Sequence, residues 1–297
     1  MKRLVGIALL FTLTLVAWAQ DDSQEITEEQ EEQYAAALQE FVDSLDKQTG
    51  TITLPNGLVT LQVPDSFYYL NTEDADKVLV DLWGNPDGDP TLGMLFPAHM
   101  SPIDDNAWAV TIEYEEDGYV RDDDADSIDY NDLLRDMQSD TRDANRFRTD
   151  NGYEPIELIG WAAPPHYDKA GHKLHWAKEI KFGEDPNHTL NYNIRVLGRK
   201  GVLVLNFIAG MNQLPEIESN LDSVLALAEF NQGSRYSDFN PSLDKVAAYG
   251  LGGLVAGKVL AKTGILAALF IFLKKFGVFI VVAIGGLFAK LFKRNSA

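Results

Sequence analysis

HKLHWAKEIKFGEDPNHTLNYNIRVLGRKGVLVLNFIA, residues 172–209, is the stretch on which the fold turns. In its first part Leu174, Trp176, Ile180 and Phe182 recur at even spacing. That is the period of a strand, in which successive side chains point to opposite faces. Residues 189–197 and 201–209 alternate in the same way. The connectors are short: 183–187 contains Gly183, Pro186 and Asn187, and 198–200 opens on Gly198. Parallel neighbours need a crossover of about a dozen residues or more, so connectors of this length dictate an antiparallel meander. His172 and His175 would share a face with Glu179 on a helix. On a strand residues 172 and 175 fall on opposite faces, which removes them as a metal pair.

Outward from the meander the period changes. Residues 213–230 carry Ile217, Leu221, Val224, Leu225 and Ala228 at helical spacing, a helix expected to pack across the sheet. Upstream, 156–161 reads as a strand, followed by a rigid loop of Pro164, Pro165, His166, Tyr167 and Asp168. Trp108, Val110, Ile112 and Tyr114 alternate within a strand at 107–115, and 92–96 is a short buried strand ended by Pro97. Asn71 or Thr72 caps a helix that reaches about Leu82 and closes at Gly84, Asn85 and Pro86. Residues 51–54 and 58–63 form a β-hairpin turned at Pro55, Asn56 and Gly57. Before it, 24–47 places Leu38, Phe41, Val42 and Leu45 on one helix face behind a run of glutamates, an acidic helical arm spanning 20–48. The fold class expected is α+β: an antiparallel sheet with a C-terminal three-strand meander and packed helices, plus a C-terminal membrane anchor.

Both ends of the chain suggest export. Lys2 and Arg3 precede an apolar run at 4–16 and a small-x-small site at Ala17 and Ala19, the pattern of a signal peptide over 1–19. Residues 276–292, FGVFIVVAIGGLFAKLF, hold Lys290 as their one charge and are followed by Lys293 and Arg294. A span needs about 17 to 25 residues to cross roughly 30 Å of hydrocarbon, and flanking lysines extend toward the interfaces. A second span at 251–273 would leave only Lys274 and Lys275 for the turn and would put the basic end outside, against the positive-inside rule. A single helix from 264 to 292 would set those lysines near mid-bilayer, at about 2.5–3.5 kcal/mol each. One span at 276–292 is therefore expected, with 49–240 as the exported domain, 241–275 as a juxtamembrane helix whose apolar run 251–273 lies on or beside the outer face, and 293–297 as a cytoplasmic tail. Gly253 and Gly257 stand at the spacing of a helix-packing contact, and equally of a glycine-rich bend.

Charge narrows the partners. The chain carries −20 overall, but 15 of its 25 Lys and Arg and 44 of its 45 Asp and Glu lie in 20–240, about −29 for that part. A body so anionic is no nucleic-acid binder and would stand off an anionic lipid surface; it suits a cationic partner or divalent ions. With no cysteine, the core alone must hold the fold, and thiol chemistry is absent.

The most acidic stretch is EEDGYVRDDDAD, 115–126, with Asp129 expected to cap a helix carrying Leu133, Leu134 and Met137. Asp122, Asp124 and Asp126 have the alternate spacing of a calcium loop and are the candidate Ca2+ ligands. The rest of the pattern departs from it: Ser127 occupies the sharp-turn glycine position, and Leu133 stands where the closing Glu belongs. A solvated turn whose carboxylates favour the next helix N-terminus is the competing reading. His166 and Asp168 are the candidates for lining a pocket, though no nucleophile with a placed base accompanies them. Phosphate-loop and nucleophile-elbow motifs are absent from the sequence.

Several strings, in order, carry a resemblance: YEEDGYV (114–120) with DDDA (122–125), GW (160–161) with PHYD (165–168), HWA (175–177), and LNYNIRVLGR (190–199) with DKVA (244–247) and YG (249–250). Together they resemble a bacterial family of membrane-anchored proteins known as domain of unknown function 2167, over roughly residues 45–275. The resemblance implies a bacterial envelope protein and transfers no reaction, cofactor or catalytic residue. The expectation is a non-enzymatic interaction module at the inner membrane, its bulk in the periplasm and its C-terminus cytoplasmic, bound to an envelope protein partner and able to self-associate through the tail. The alternative is a periplasmic hydrolase or a small-ligand or divalent-cation binding protein built on the acidic loop with His166 and Asp168.

Overall fold

The alternation at 172–209 is realised in a computed structural model that describes residues 28–85, 91–150 and 153–257. The chain divides into two units, 1–40 and 41–297. The described part of the first is helical, belonging to α1 (Glu28–Asp43).

In the second unit, β8 (Lys173–Phe182), β9 (Thr189–Leu197) and β10 (Val202–Gly210) are antiparallel neighbours as their short connectors require. They lie in the interior of a seven-stranded sheet. β10 continues to β5 (Ala109–Glu115), β4 (Gly93–Pro97) and β3 (Phe67–Leu70), while β7 (Ile156–Asp168) closes the other edge, giving the order β3-β4-β5-β10-β9-β8-β7. The expected break between a strand and a rigid proline loop does not occur. β7 runs through Pro164 and Pro165, with register shifts against β8 on either side of Ala163. An edge strand tolerates proline because it need not donate on its open side, and irregular register is how such an edge resists pairing.

One face of the sheet carries the main core. Tyr192, Ile194 and Val196 of β9 and Leu203, Leu205 and Phe207 of β10 pack with Ile217, Val224 and Leu227 of α4 (Leu214–Leu227). The helix stops short of the expected residue 230. Ala228 turns extended, and β11 (Ala228–Phe230) joins β2 (Val59–Val63), which pairs on its other side with β1 (Gly50–Thr53), the expected hairpin. Tertiary pairing here overrides a helical apolar period.

The opposite face is covered in three places. Tyr68, Leu70, Met94 and Phe96 meet Leu45 and residues of α2 (Thr72–Asp76) and the π-helical turn Lys77–Leu82. Asn71 caps α2 as expected, its side chain accepting from the Asp74 N–H at 3.1 Å. α3 (Tyr130–Asp150) covers Ile156, Leu158, Ile180 and Phe182 through Leu134 and Met137. The third cover is α5 (Leu251–Ala256), whose Leu251, Leu254 and Val255 are 0%, 3% and 1% exposed among Val120, Leu174, Trp176, Val202 and Val204.

This third cover lies beyond residue 240, the expected end of the exported domain. Full burial of a Leu or Val side chain contributes about 1.5–3 kcal/mol, so these three make residues 251–256 part of the core. Just before it, β12 (Val246–Gly250) pairs in parallel with β6 (Tyr119–Arg121). α5 ends at Gly257, whose left-handed φ of +85° suits the residue that closes a helix. The expected leader at 1–19, the remainder of the juxtamembrane segment, the span at 276–292 and the tail at 293–297 lie outside the described residues. Among the described residues no helix is long and apolar enough to cross a membrane.

Candidate functional site

The acidic loop links β6 to α3, and its carboxylates turn in different directions. Asp129 caps α3 as expected, its Oδ1 accepting from the N–H groups of Asn131 and Asp132 at 2.9 and 3.0 Å. Asp122 turns inward: the Tyr167 hydroxyl donates to its Oδ2 at 2.8 Å, and the same hydroxyl lies 3.2 Å from His172 Nδ1. His172 sits 3.7 Å from that carboxylate oxygen. Burial first, and then the hydrogen bond to Asp122, push the Tyr167 hydroxyl far above the ordinary tyrosine range. Asp124 also turns inward, accepting from the N–H groups of Leu251 and Gly252 at 3.1 Å each. Asp123 and Asp126 face solvent.

The three candidate Ca2+ ligands are thus not brought together: Asp122 holds Tyr167, Asp124 caps α5, and Asp126 is exposed. Among the described residues no group of three or more His, Cys, Asp or Glu is arranged to hold a metal ion. An aromatic stack buttresses the loop from behind. Tyr236 lies 4.1 Å from the His172 ring and 4.4 Å from Tyr119, which stacks at 3.9 Å on Phe239. The Tyr236 hydroxyl donates to the Val120 carbonyl at 3.0 Å, and burial raises its pKa strongly.

His166 and Asp168 do not line a pocket with the loop. His166 is exposed, opposite His175 in the β7–β8 register, with ring centroids 5.3 Å apart. Asp168 is used locally, accepting from the Ala170 and Gly171 N–H groups at 2.9 and 3.1 Å to close the turn between the two strands. The loop instead meets Tyr167, the residue between them. His172 and His175 part as expected, but not by strand alternation, since His172 lies in the turn before β8 with a φ of +51°: His172 joins Tyr167 and Tyr236, while His175 bonds the Tyr192 hydroxyl at 3.1 Å on the side of the main core. Burial, reinforced by His166, lowers the His175 pKa.

A second constellation escaped the sequence reading. On the face away from α4, Thr111, Asn206 and Asn193 stand opposite one another across β5, β10 and β9 and are 2%, 4% and 1% exposed. Asn193 Nδ2 donates to the Asn191 carbonyl and side chain at 3.0 and 2.9 Å. The Arg195 guanidinium spans the row, donating to Asn206 Oδ1 at 3.1 Å and Asn193 Oδ1 at 3.3 Å, with its centre 5.2 Å from the Trp176 ring. Burial lowers the Arg195 pKa, and Glu115, Glu113 and Tyr249 oppose that. Lys178 shares this face, and burial, with Arg195 beside it, brings its ammonium down to about 8. The alternation of Asn191, Asn193 and Arg195 between Leu190, Tyr192, Ile194 and Val196 was the available signal. It reads as one wet face until β9 is known to be central, with both faces covered.

Residues 46–285 match a family model described as "Protein of unknown function (DUF2167)". A search of curated proteins gave no match. Among solved structures, the chain is similar to the solution structure of cyanobacterial PsbP (CyanoP) from Synechocystis sp. PCC 6803, at 11% identity and a TM-score of 0.33, over 63% of this chain and 93% of that one. It is also similar to the Ran-binding protein Mog1p of Saccharomyces cerevisiae, at 12% identity and a TM-score of 0.28, over 66% of this chain and 100% of that one. At those scores neither likeness carries a functional argument.

Proposed function

The chain belongs to the DUF2167 family, and we propose that it serves there as a non-enzymatic interaction module of the bacterial envelope, anchored at the inner membrane with its bulk in the periplasm. One observation carries the reading: the acidic loop is fixed from inside and presents charge outside. Asp122 and Asp124 are tied to Tyr167 and to the N-terminus of α5, while Asp123 and Asp126 project from the same short segment into solvent. Asp132 is paired with Arg135, and the exposed charge continues along α3 through Asp136 and Asp143. Those carboxylates repel one another at helical spacing, and Asp140 between them has a raised pKa, from burial first and then from Asp136 and Asp143. A cationic partner relieves that repulsion, and a surface held rigid in advance loses little entropy when bound. The side chains proposed for chemistry are meanwhile engaged in structural hydrogen bonds or stand in solvent, which favours binding over hydrolysis.

A photo-crosslinker at Asp123 in intact cells tests the partner. We expect one discrete envelope protein, with capture lost in a variant carrying Asp123→Lys, Asp126→Lys and Asp136→Lys together and weakened by added salt. Capture that persists in that folded variant overturns the acidic surface as the interface. A reporter fused after Ala297 tests the anchorage separately: activity confined to the outside of the cell overturns the proposed orientation.

A further inference from the structure

The seven-stranded sheet ends at β3 on one side and β7 on the other, and an open edge offers its backbone N–H and C=O groups to any other strand. The two edges are closed by different means. At β3 the backbone of Gln48 does it: its N–H donates to the Tyr69 carbonyl at 2.9 Å, and its carbonyl accepts from the Tyr69 N–H at 2.8 Å. At β7 the closure comes from side chains of α3.

Asn145 accepts from the Ile156 N–H at 2.9 Å through Oδ1 and donates to the Ile156 carbonyl at 2.8 Å through Nδ2. That is the double exchange a residue makes with its partner in an antiparallel ladder, reproduced by a carboxamide, which carries the donor and acceptor of a peptide group. Gln138 donates from Nε2 to the carbonyls of Leu158 and Ile159, at 3.1 Å each. Arg148, 6% exposed, extends the row by donating from Nε to the Glu154 carbonyl at 2.7 Å. The spacing explains the match. Gln138 and Asn145 stand seven positions apart, about 10.5 Å along a helix and close to two turns, while Ile156 to Ile159 covers about 10 Å of strand.

Between Pro155 and Pro164 the edge strand reads IELIGWAA, eight residues with Glu157 as their one charge. An apolar, proline-free window of this kind on an open edge is the composition that pairs with identical segments of other chains. Its second half is made irregular by register shifts against β8. Its first half, 156–159, is the part whose backbone α3 holds.

We propose that Asn145 and Gln138 form a guard that stands in for a neighbouring strand at Ile156–Ile159 and keeps β7 from pairing with the β7 of a second copy of this chain. With the guard withdrawn, that edge is a self-association surface. Leu134 and Met137, packed over Ile156, Leu158, Ile180 and Phe182, hold α3 where the two amides reach the strand.

The chain has no cysteine, so Glu157→Cys places a single reporter within the window, and a short bismaleimide linker reads the approach of two β7 strands in the purified full chain in detergent. Gln138→Met with Asn145→Leu keeps the size of both side chains and removes their bonds to the edge. In the reporter chain this pair should raise cross-linked dimer about tenfold, the effect of one or two backbone hydrogen bonds regained between copies. Adding Ile159→Lys, a charge on the exposed edge, should return the dimer to the level of the reporter chain alone. Amides that merely dock α3 would instead lower stability with no gain in dimer. A folded double variant that cross-links no more than the reporter chain, or a gain that Ile159→Lys leaves unchanged, overturns the proposal. Where the double variant does not fold, Gln138→Met alone, which frees the Leu158 and Ile159 carbonyls and leaves Asn145 in place, is judged by the same two outcomes.

Discussion

Asp124 caps α5 through the backbone N–H of Leu251, 3.1 Å from its carboxylate and 127 residues further along the chain. The other oxygen takes Gly252 in the same way. Replacing a capping carboxylate with Ala usually costs about 0.5–2 kcal/mol, whereas Asn caps nearly as well as Asp. Asp124→Ala should therefore lower the unfolding free energy by about 1–2 kcal/mol and Asp124→Asn by far less. Hydrogen exchange should quicken at Val246–Gly250 and Leu251–Ala256 and stay slow at Gly93–Pro97. Unchanged exchange in the Ala variant would show that Asp124 is not what holds α5.

Tyr167 bonds a carboxylate, and bonds to charged groups exceed those between neutral ones. Tyr167→Phe should cost about 1–2 kcal/mol, and a double-mutant cycle with Asp122→Asn should return a coupling above about 0.5 kcal/mol. Additive losses measured by chemical denaturation would mean that the two side chains do not act as a pair.

Gly118 and Gly57 both have positive φ, +101° and +69°, but only Gly118 is crowded: a Cβ there would lie 2.7 Å from the Lys245 carbonyl oxygen, while at Gly57 nothing stands within 4 Å. Gly57→Ala should cost about 1 kcal/mol of backbone strain, and Gly118→Ala clearly more, because β12 must shift away from β6. Thermal melts of the two variants decide it, and equal losses would place the strain in the backbone alone.

His175 has a lowered pKa, from burial first and then from His166, with Asp222 opposing. Between that folded value and the ordinary 6.5 the unfolded chain binds more protons than the folded one. The sign follows: this residue makes stability rise with pH just below 6.5, and its contribution is lost as pH falls through that window. Urea midpoints at successive pH values should show a shallower rise in His175→Gln than in the native chain. A steeper one would reverse the assignment.

These tests separate what was readable in the chain from what was not. Period two at Leu174, Trp176, Leu190 and Tyr192, with connectors too short to cross over, was enough to define the meander. Asn71 and Asp129 announced their helices because a cap acts within a few residues. β11 and β12 carry three and five residues, too few to show a period, and each is set by a partner far along the chain. Pro164 and Pro165 looked like a loop because proline bars central strands, and the sequence does not say which strand lies at an edge. Of the candidate site, Asp122 and Asp124 were singled out because their spacing suggested a shared ion, and folding sends them to Tyr167 and Leu251. The row beneath Arg195 stayed hidden because asparagines alternating with apolar residues look the same on a wetted face and on a covered one.

The seam of β6, β12 and α5 has a mechanical meaning. A pull on the chain beyond Gly257 reaches Leu251 and the Asp124 carboxylate first and the seven-stranded sheet last. Under tension, that seam would be the fuse of the molecule, parting while the rest of the body stayed folded.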